Sequence, residues 1–281
     1  MTERIALITD SSCDLGAEVI AEHGIHVLPL YVIYGDRSYR DRVDITPSEV
    51  YERLDREVPT TSTPSHEDAL GLLRKVREAG FTHALAVHIS SGLSGTMNVV
   101  RAAAEEVTSL KTTVLDSLSL SMGLGQVVEQ AAQWLKEGVT LDDVVSRARE
   151  MVSQSKTYFV LKTVEYLRRG GRIGAVSAAL AGALDLKPII SIDEHGKYFS
   201  YRRVRGRNQS LRELFEIARE GVAAGANRVA VMHGGAEEEA RTLRESILKL
   251  PGVTKVTFGQ VSPVLVVHTG PGLIGVALGR A

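Results

Sequence analysis

One cysteine, one tryptophan and a formal charge of −1 remove several bases for function from this 281-residue chain. A lone thiol, Cys13, excludes an intrachain disulfide and argues against a cysteine-based metal centre; in a strand-to-helix turn it reads as a small packed residue. With 33 basic against 34 acidic side chains there is no general pull toward nucleic acid or an anionic membrane, so at most transient membrane contact is expected. Aromatic residues are 5% of the chain, too few for a base-stacking platform beside its basic segments. No apolar run approaches the ~20 residues that span a bilayer. The eight histidines are scattered, without His-Glu-x-x-His or another ligand spacing, so neither a metal nor a resident cofactor is expected. The opening Met-Thr-Glu-Arg runs straight into an apolar strand without a signal-peptide pattern, from which a cytoplasmic location is expected.

What is present is a set of hydroxyl-rich turns. Ala84 to Asn98 reads as an apolar strand that breaks into Ser90-Ser-Gly-Leu-Ser-Gly-Thr96 and then enters a helix. Glycines admit close backbone approach, orphan N–H groups of a helix start point outward, and hydroxyls add donors, so this is an anion site without a single Lys or Arg. Ile5 to Asp14 and Val114 to Ser119 repeat the pattern. In open α/β sheets, ligands lie outside the carboxyl ends of the strands, so these turns converge on one site. For Asp14, Ser117 and Ser119 plain helix capping is the leading reading.

The first half alternates strands (residues 4–9, 25–33, 82–89 and 111–116) with helices (15–23, 47–56, 66–79, 96–107 and 121–137), and a further helix follows from Thr140. That order predicts a parallel sheet covered on both faces, an α/β/α three-layer domain over residues 1–155. Tyr34-Gly-Asp-Arg-Ser reads as a hairpin tip. From residue 156 to 281 the strands (187–193, 197–204, 228–232, 253–261, 264–268 and 274–279) with helices 209–223 and 236–249 predict an α+β domain with a mixed or antiparallel sheet. The ligand is expected between the two domains.

Four further segments carry candidate chemistry. Pro59-Thr-Thr-Ser-Thr-Pro-Ser65 is an extended loop whose Thr61 hydroxyl pairs with Ser94 as a second jaw of an anion clamp. Leu167-Arg-Arg-Gly-Gly-Arg-Ile-Gly174 holds Arg172 in a tight turn suited to a phosphate or carboxylate, and it is no P-loop. Val264 to His268 reads as a strand ending in a histidine, which is either a hydrogen-bonding or basic group or simply structural. Tyr201-Arg-Arg-Val-Arg-Gly-Arg207 reads as a strand with a cationic face, either solvated or able to dock an acidic partner. An enzyme reading competes: Gly92-Leu-Ser-Gly-Thr96 nearly imitates the Gly-x-Ser-x-Gly nucleophile elbow, and Ser94, Asp116 and His268 follow in hydrolase order. A small-carbonyl site using His268 covalently is a third class.

Together, Thr9-Asp-Ser-Ser-Cys-Asp14, Thr61-Ser-Thr-Pro-Ser65, Ser90 to Thr96, Leu167 to Ile173, Leu186-Lys-Pro-Ile-Ile190 and His268-Thr-Gly-Pro-Gly272 resemble the DegV family in order and spacing over essentially the whole chain. Thr63 departs from the Gln expected in many relatives. The resemblance implies a bacterial two-domain protein that shares its fold type with dihydroxyacetone kinase substrate subunits. It also implies a binding role like that of the FakB subunit of fatty acid kinase. On that resemblance the chain is not itself an enzyme. Thr61 and Ser94, with Ser91, Gly95 and Thr96, would hold a long-chain fatty-acid carboxylate; Arg172 and His268 would serve the head group and its phosphorylated state; Arg203 and Arg205 would be a candidate surface for docking a kinase of the FakA type or for screening the phosphate. ATP and Mg would belong to that kinase, whose product, an acyl phosphate, feeds phospholipid synthesis.

Overall fold

The computed structural model describes residues 3–54, 56–179 and 186–280. Strands β1 (Ile5–Asp10), β2 (His26–Leu28), β6 (His83–His88) and β7 (Lys111–Asp116) form a parallel sheet in the order β2-β1-β6-β7. Leu7 pairs with Leu85 and Val87 with Leu115. Alternation along the strands sends Ala6, Ile8, Ala84 and Ala86 to one face, against α3 (His66–Glu78) and α4 (Thr96–Glu106). Leu7, Leu85 and Val87 go to the other, against α5 (Met122–Lys136). This is the expected three-layer arrangement, since a parallel sheet buries both faces.

The segment expected to be one strand over residues 25–33 is two. After β2 the chain turns and β3 (Tyr31–Tyr34) joins a separate antiparallel sheet, β4-β3-β5, with β4 (Arg37–Arg40) and β5 (Thr60–Ser62). The Tyr34–Arg37 hairpin tip falls where the turn residues place it. Thr61, expected in an extended loop, sits on β5 opposite Val32. The helix expected over 47–56 is the shorter α2 (Pro47–Arg53), opened by a Thr46–Glu49 capping box; Ser65 and Asp68 open α3 in the same way. Helix α1 is Ala17–His23.

After α6 (Leu141–Gln154), strands β8 (Lys156–Val160), β9 (Ile189–Ile192), β10 (Tyr198–Arg202), β11 (Arg228–Gly234), β12 (Lys255–Gln260) and β13 (Leu273–Gly279) build a mixed sheet. Its order is β10-β9-β8-β13-β11-β12, and only β11 and β12 are parallel. One face packs on α9 (Arg207–Ala223) and α10 (Glu237–Ile247) through Leu214, Ile217 and Leu243. The opposite face presents Phe159, Ile190, Tyr198, Met232 and Ala277 to the same apolar cluster that holds Leu85, Val87 and Met122 of the first half. The two halves therefore share one core.

The strand expected over residues 264–268 is a helix, α11 (Pro263–Thr269). A short continuous apolar run reads alike as a buried strand or a buried helix. Here Ser262 at the N-cap and Pro263 at the first position decide for helix, and Val264 through Val267 are buried around its circumference. Short helices α7 (Glu165–Arg169) and α8 (Val176–Ala179) precede β9. The small residues 175–184 read from the sequence as a helix that either lines an acyl tunnel or packs in the core; its second half, 180–184, lies outside the described residues, and the tunnel reading with it. Among the described residues no helix is long and apolar enough to cross a membrane, and no group of three or more His, Cys, Asp or Glu is placed to hold a metal ion.

Candidate functional site

A cavity lies where the parallel sheet, the small antiparallel sheet and the mixed sheet meet. Thr61 and Ser62 reach it from β5, Ser94 from the turn before α4, Arg172 from the turn after α7, Tyr198 from β10, and Val264, Leu265 and His268 from α11. The Thr61 hydroxyl and His268 Nε2 are hydrogen-bonded at 2.8 Å. Ser94 Oγ is hydrogen-bonded to Thr96 Oγ1 at 2.8 Å and accepts the Thr96 N–H. Arg172 donates from Nη1 to the Gly170 carbonyl at 2.7 Å and from Nε to that of Leu93. With two of five donors spent on neutral carbonyls and no carboxylate partner among the described residues, its charge stays available at the cavity wall.

Burial and the neighbouring Arg172 cation push the His268 imidazole down to about 4, so the ring is neutral near pH 7. Its Nδ1 is buried without a partner, and a Cβ on Gly170 would stand 2.0 Å from it. The cavity wall thus offers several hydroxyls, Thr61, Ser62 and Ser94 among them, with a neutral imidazole and one guanidinium, a donor-rich set for an anion.

A narrow apolar channel adjoins the polar cavity. Leu120, Tyr198, Leu265 and Thr269 line both, and beyond them the walls are Met122, Phe159, Met232, Val261, Leu273 and Ala277, inside the core shared by the two halves. On its other side, Leu93, Ser94, Arg172 and Tyr198 also border an open surface groove, which adds Ser91, Gly95, Asp193 and Lys197.

Of the residues singled out from the sequence, Thr61, Ser94, Arg172 and His268 converge on the cavity. Ser91 and Gly95 face the outer groove, and Thr96 is buried behind Ser94. Arg203 and Arg205 do not line the cavity. β10 ends at Arg202, so the basic run is no alternating strand; Arg202 is paired with Glu213 and Glu220, and Arg207 with Glu239. Arg203 and Arg205 are exposed, and Arg205 borders a separate depression with Arg207 and Arg212.

None of Asp14, Ser117 and Ser119 is the N-cap of the helix that follows it, where Gly16 and Ser121 stand instead. Ser117 closes a local turn by accepting the Ser119 N–H, and Asp14 accepts from Ser121 and Ser262. A hydrolase triad is absent too: Asp116 is engaged by the N–H groups of Ser91 and Leu118, and His268 bonds Thr61 rather than Ser94. A histidine near 4 is also a weak base at neutral pH. His88 bonds Asp10 at 3.1 Å inside the parallel sheet, and burial pushes the Cys13 thiol up to about 12, leaving it unreactive. Tyr198, which lines cavity, channel and groove, escaped sequence reasoning because a tyrosine in a hairpin strand carries no local signal.

The geometry defines an α/β protein with a parallel sheet, a separate mixed sheet, and a hydroxyl-lined cavity beside a narrow apolar channel. A family model described as "Uncharacterised protein, DegV family" matches residues 4–280, and the chain belongs to the DegV family. Similar relatives include a DegV domain-containing protein of Clostridium perfringens, 42% identical over 276 residues and 98% of each chain. Another, of Streptomyces coelicolor, is 33% identical over 280 residues and 99% of each chain. A DegV family protein from Thermus thermophilus, described for fatty acid binding, superposes with a TM-score of 0.92 at 33% identity, covering 99% of this chain and 100% of that one. A stearic acid-binding protein from Eubacterium ventriosum superposes with a TM-score of 0.88 at 28% identity, covering 99% and 98%.

Proposed function

We propose that this protein binds one long-chain fatty acid, with the carboxylate at Thr61 and Ser94 and the acyl chain in the apolar channel, and presents it to a partner kinase. The observation that carries the reading is the adjacency of the polar cavity and the apolar channel, which share Leu120, Tyr198, Leu265 and Thr269 as walls. A small carbonyl compound needs the polar end alone; a fatty acid needs both. The similarity to fatty-acid-binding relatives supports the same reading. The division of labour follows from magnitudes: about 0.8 kcal/mol per buried methylene gives roughly 11 kcal/mol gross for fourteen of them, against about 1.5–3 kcal/mol for a hydrogen bond to a charged group. Association costs reduce the total, but the chain still sets affinity and the head group sets orientation.

In this proposal the lobes divide near residues 155 and 156, with the ligand between them. The outer groove beside Ser94 and Arg172 gives a kinase of the FakA type access to the carboxylate, which the partner phosphorylates with its own ATP and Mg. Neutral donors leave the carboxylate oxygen nucleophilic, and Arg172 stabilises the charge added on phosphoryl transfer. The His268 ring is neutral, so its part is hydrogen bonding rather than charge. Native mass spectrometry of the purified protein, followed by denaturation and identification of the released molecule, tests the binding. A stoichiometric C14–C18 acid lost on combined Thr61→Ala and Ser94→Ala substitution is expected. A protein that is empty and takes up no added palmitic acid refutes it.

A further inference from the structure

Helix α11 carries His268 but does not cap its own first turn. The Ser262 side chain makes no capping bond, and its Oγ is buried without a partner. The N–H of Ser262 instead donates to Asp14 Oδ1 at 2.9 Å, and the N–H of Val264 to Asp41 Oδ1 at 3.0 Å, across 248 and 223 residues of chain. Both carboxylates belong to the first half and are buried, with 6% and 1% exposure. Asp14 Oδ2 accepts from Ser121 Oγ at 2.5 Å, while Asp41 Oδ2 is buried without a partner. Neither forms an ion pair among the described residues; Arg42, next to Asp41, donates to the Leu15 carbonyl.

The backbone at this junction is held in rare conformations. Among the described residues four non-glycine positions have positive φ, and three belong here: Asp14 (54°), Ser121 (50°) and Arg42 (62°). Burying unpaired carboxylates and holding such backbone both cost free energy, and features of this kind collect where function requires a fixed geometry. What they fix is α11. From Val264 to His268 is about 6 Å of helix, so a small tilt of the first turn moves the ring by enough to break its bond to Thr61.

We propose that Asp14 and Asp41 are positioning residues for the head-group cavity: as a buried clasp from one lobe they hold the first turn of α11 in the other, and so set the Thr61–His268 contact that receives the carboxylate. This rests on the fatty-acid reading of the cavity. It implies that selectivity for a charged head group depends on two side chains that never touch the ligand.

The test compares wild type with Asp14→Ala, Asp41→Ala, Asp14→Asn and Asp41→Asn in the full chain. Palmitic acid and hexadecanol are titrated in parallel, and the His268 ring nitrogens are followed by NMR. The alanine variants are expected to lose tenfold or more in palmitic acid affinity, to keep hexadecanol affinity within about threefold, and to shift the His268 Nε2 resonance. The asparagine variants, which keep one acceptor oxygen, recover most of the loss. Parallel loss of acid and alcohol, or no loss of either, overturns the clasp. If wild type takes up neither ligand, the fatty-acid reading fails by itself, and an unshifted His268 ring in the variants then refutes the clasp separately. Should the alanine variants not fold, Asp14→Glu and Asp41→Glu, which displace the acceptors by one methylene, carry the same comparison.

Discussion

Thr61 and His268 share one hydrogen bond at 2.8 Å, and each depends on the other for its orientation. In the proposed binding mode, removing the hydroxyl with Thr61→Ala deletes a donor to the carboxylate and releases the ring. A loss of about 1.5–3 kcal/mol is expected, roughly tenfold to hundredfold in Kd for palmitic acid by calorimetry, while Thr61→Ser stays within a few fold. The neutral state of His268 has its own consequence. Its folded value, about 4, lies below the usual histidine value, so the stability it contributes is complete above about pH 6.5 and is lost as pH falls toward 4. An NMR titration of the ring should show its midpoint near 4, and a midpoint above 6 would contradict the buried, Arg172-facing environment. Ser94 and Arg172 were legible in the sequence because glycines flank them; Ser62 and Tyr198 were not, since neither a loop hydroxyl nor a strand tyrosine differs locally from its many structural counterparts.

At the scale of elements, α7 and α11 meet through a glycine. Gly170 has an ordinary negative φ, so alanine fits the backbone there, but its Cβ would stand 2.0 Å from His268 Nδ1. Gly170→Ala is therefore expected to weaken palmitic acid binding as much as Thr61→Ala, with a folded protein by circular dichroism. Unchanged binding would show that the ring can move without cost. The strand-to-helix alternation of the first half was readable because the hydrophobic period switches between 2 and 3.6 and capping residues such as Thr46 and Ser65 punctuate it. The α11 segment was misread as a strand because all its side chains from Val264 to Val267 are buried, which erases the period that distinguishes the two.

For the molecule as a whole, the shared core makes ligand, lobes and stability one system. Filling the channel tests this: Ala277→Phe, on the wall facing Phe159 and Met232, is expected to weaken palmitic acid at least tenfold while leaving octanoic acid nearly unchanged, read by displacement of a fluorescent fatty acid. Stability should also carry the signature of the buried carboxylates. Burial raises Asp14 to about 6 and, with the Asp14 charge beside it, Asp41 to about 7, despite the Ser121 and Ser262 donors at Asp14, the Ser11 and Val264 donors at Asp41 and the nearby Arg42. Raised folded values mean that their favourable contribution is complete below about pH 4 and is lost as pH rises through 6 and 7. Urea unfolding of wild type and Asp41→Asn at pH 5 and 8 should show the variant gaining about 2 kcal/mol relative to wild type at the higher pH. A pH-independent difference would mean that Asp41 ionises freely in the fold.

The sequence by itself determined the layered first lobe, the mixed sheet of the second, the hydroxyl turn around Ser94 and the family to which they belong. These follow from local periodicity, turn chemistry and motif order, all of which act over a few residues. Tertiary structure alone decided that Thr61 meets His268 across 207 residues, that Arg203 and Arg205 stay away from the cavity, and that Asp14 and Asp41 cap a helix in the opposite lobe. The contacts of Thr61, His268, Asp14 and Asp41 turn on which polar groups are desolvated together around a common core, while Arg203 and Arg205 keep their solvation. Desolvation is a property of the whole packed molecule and leaves no local mark in the chain.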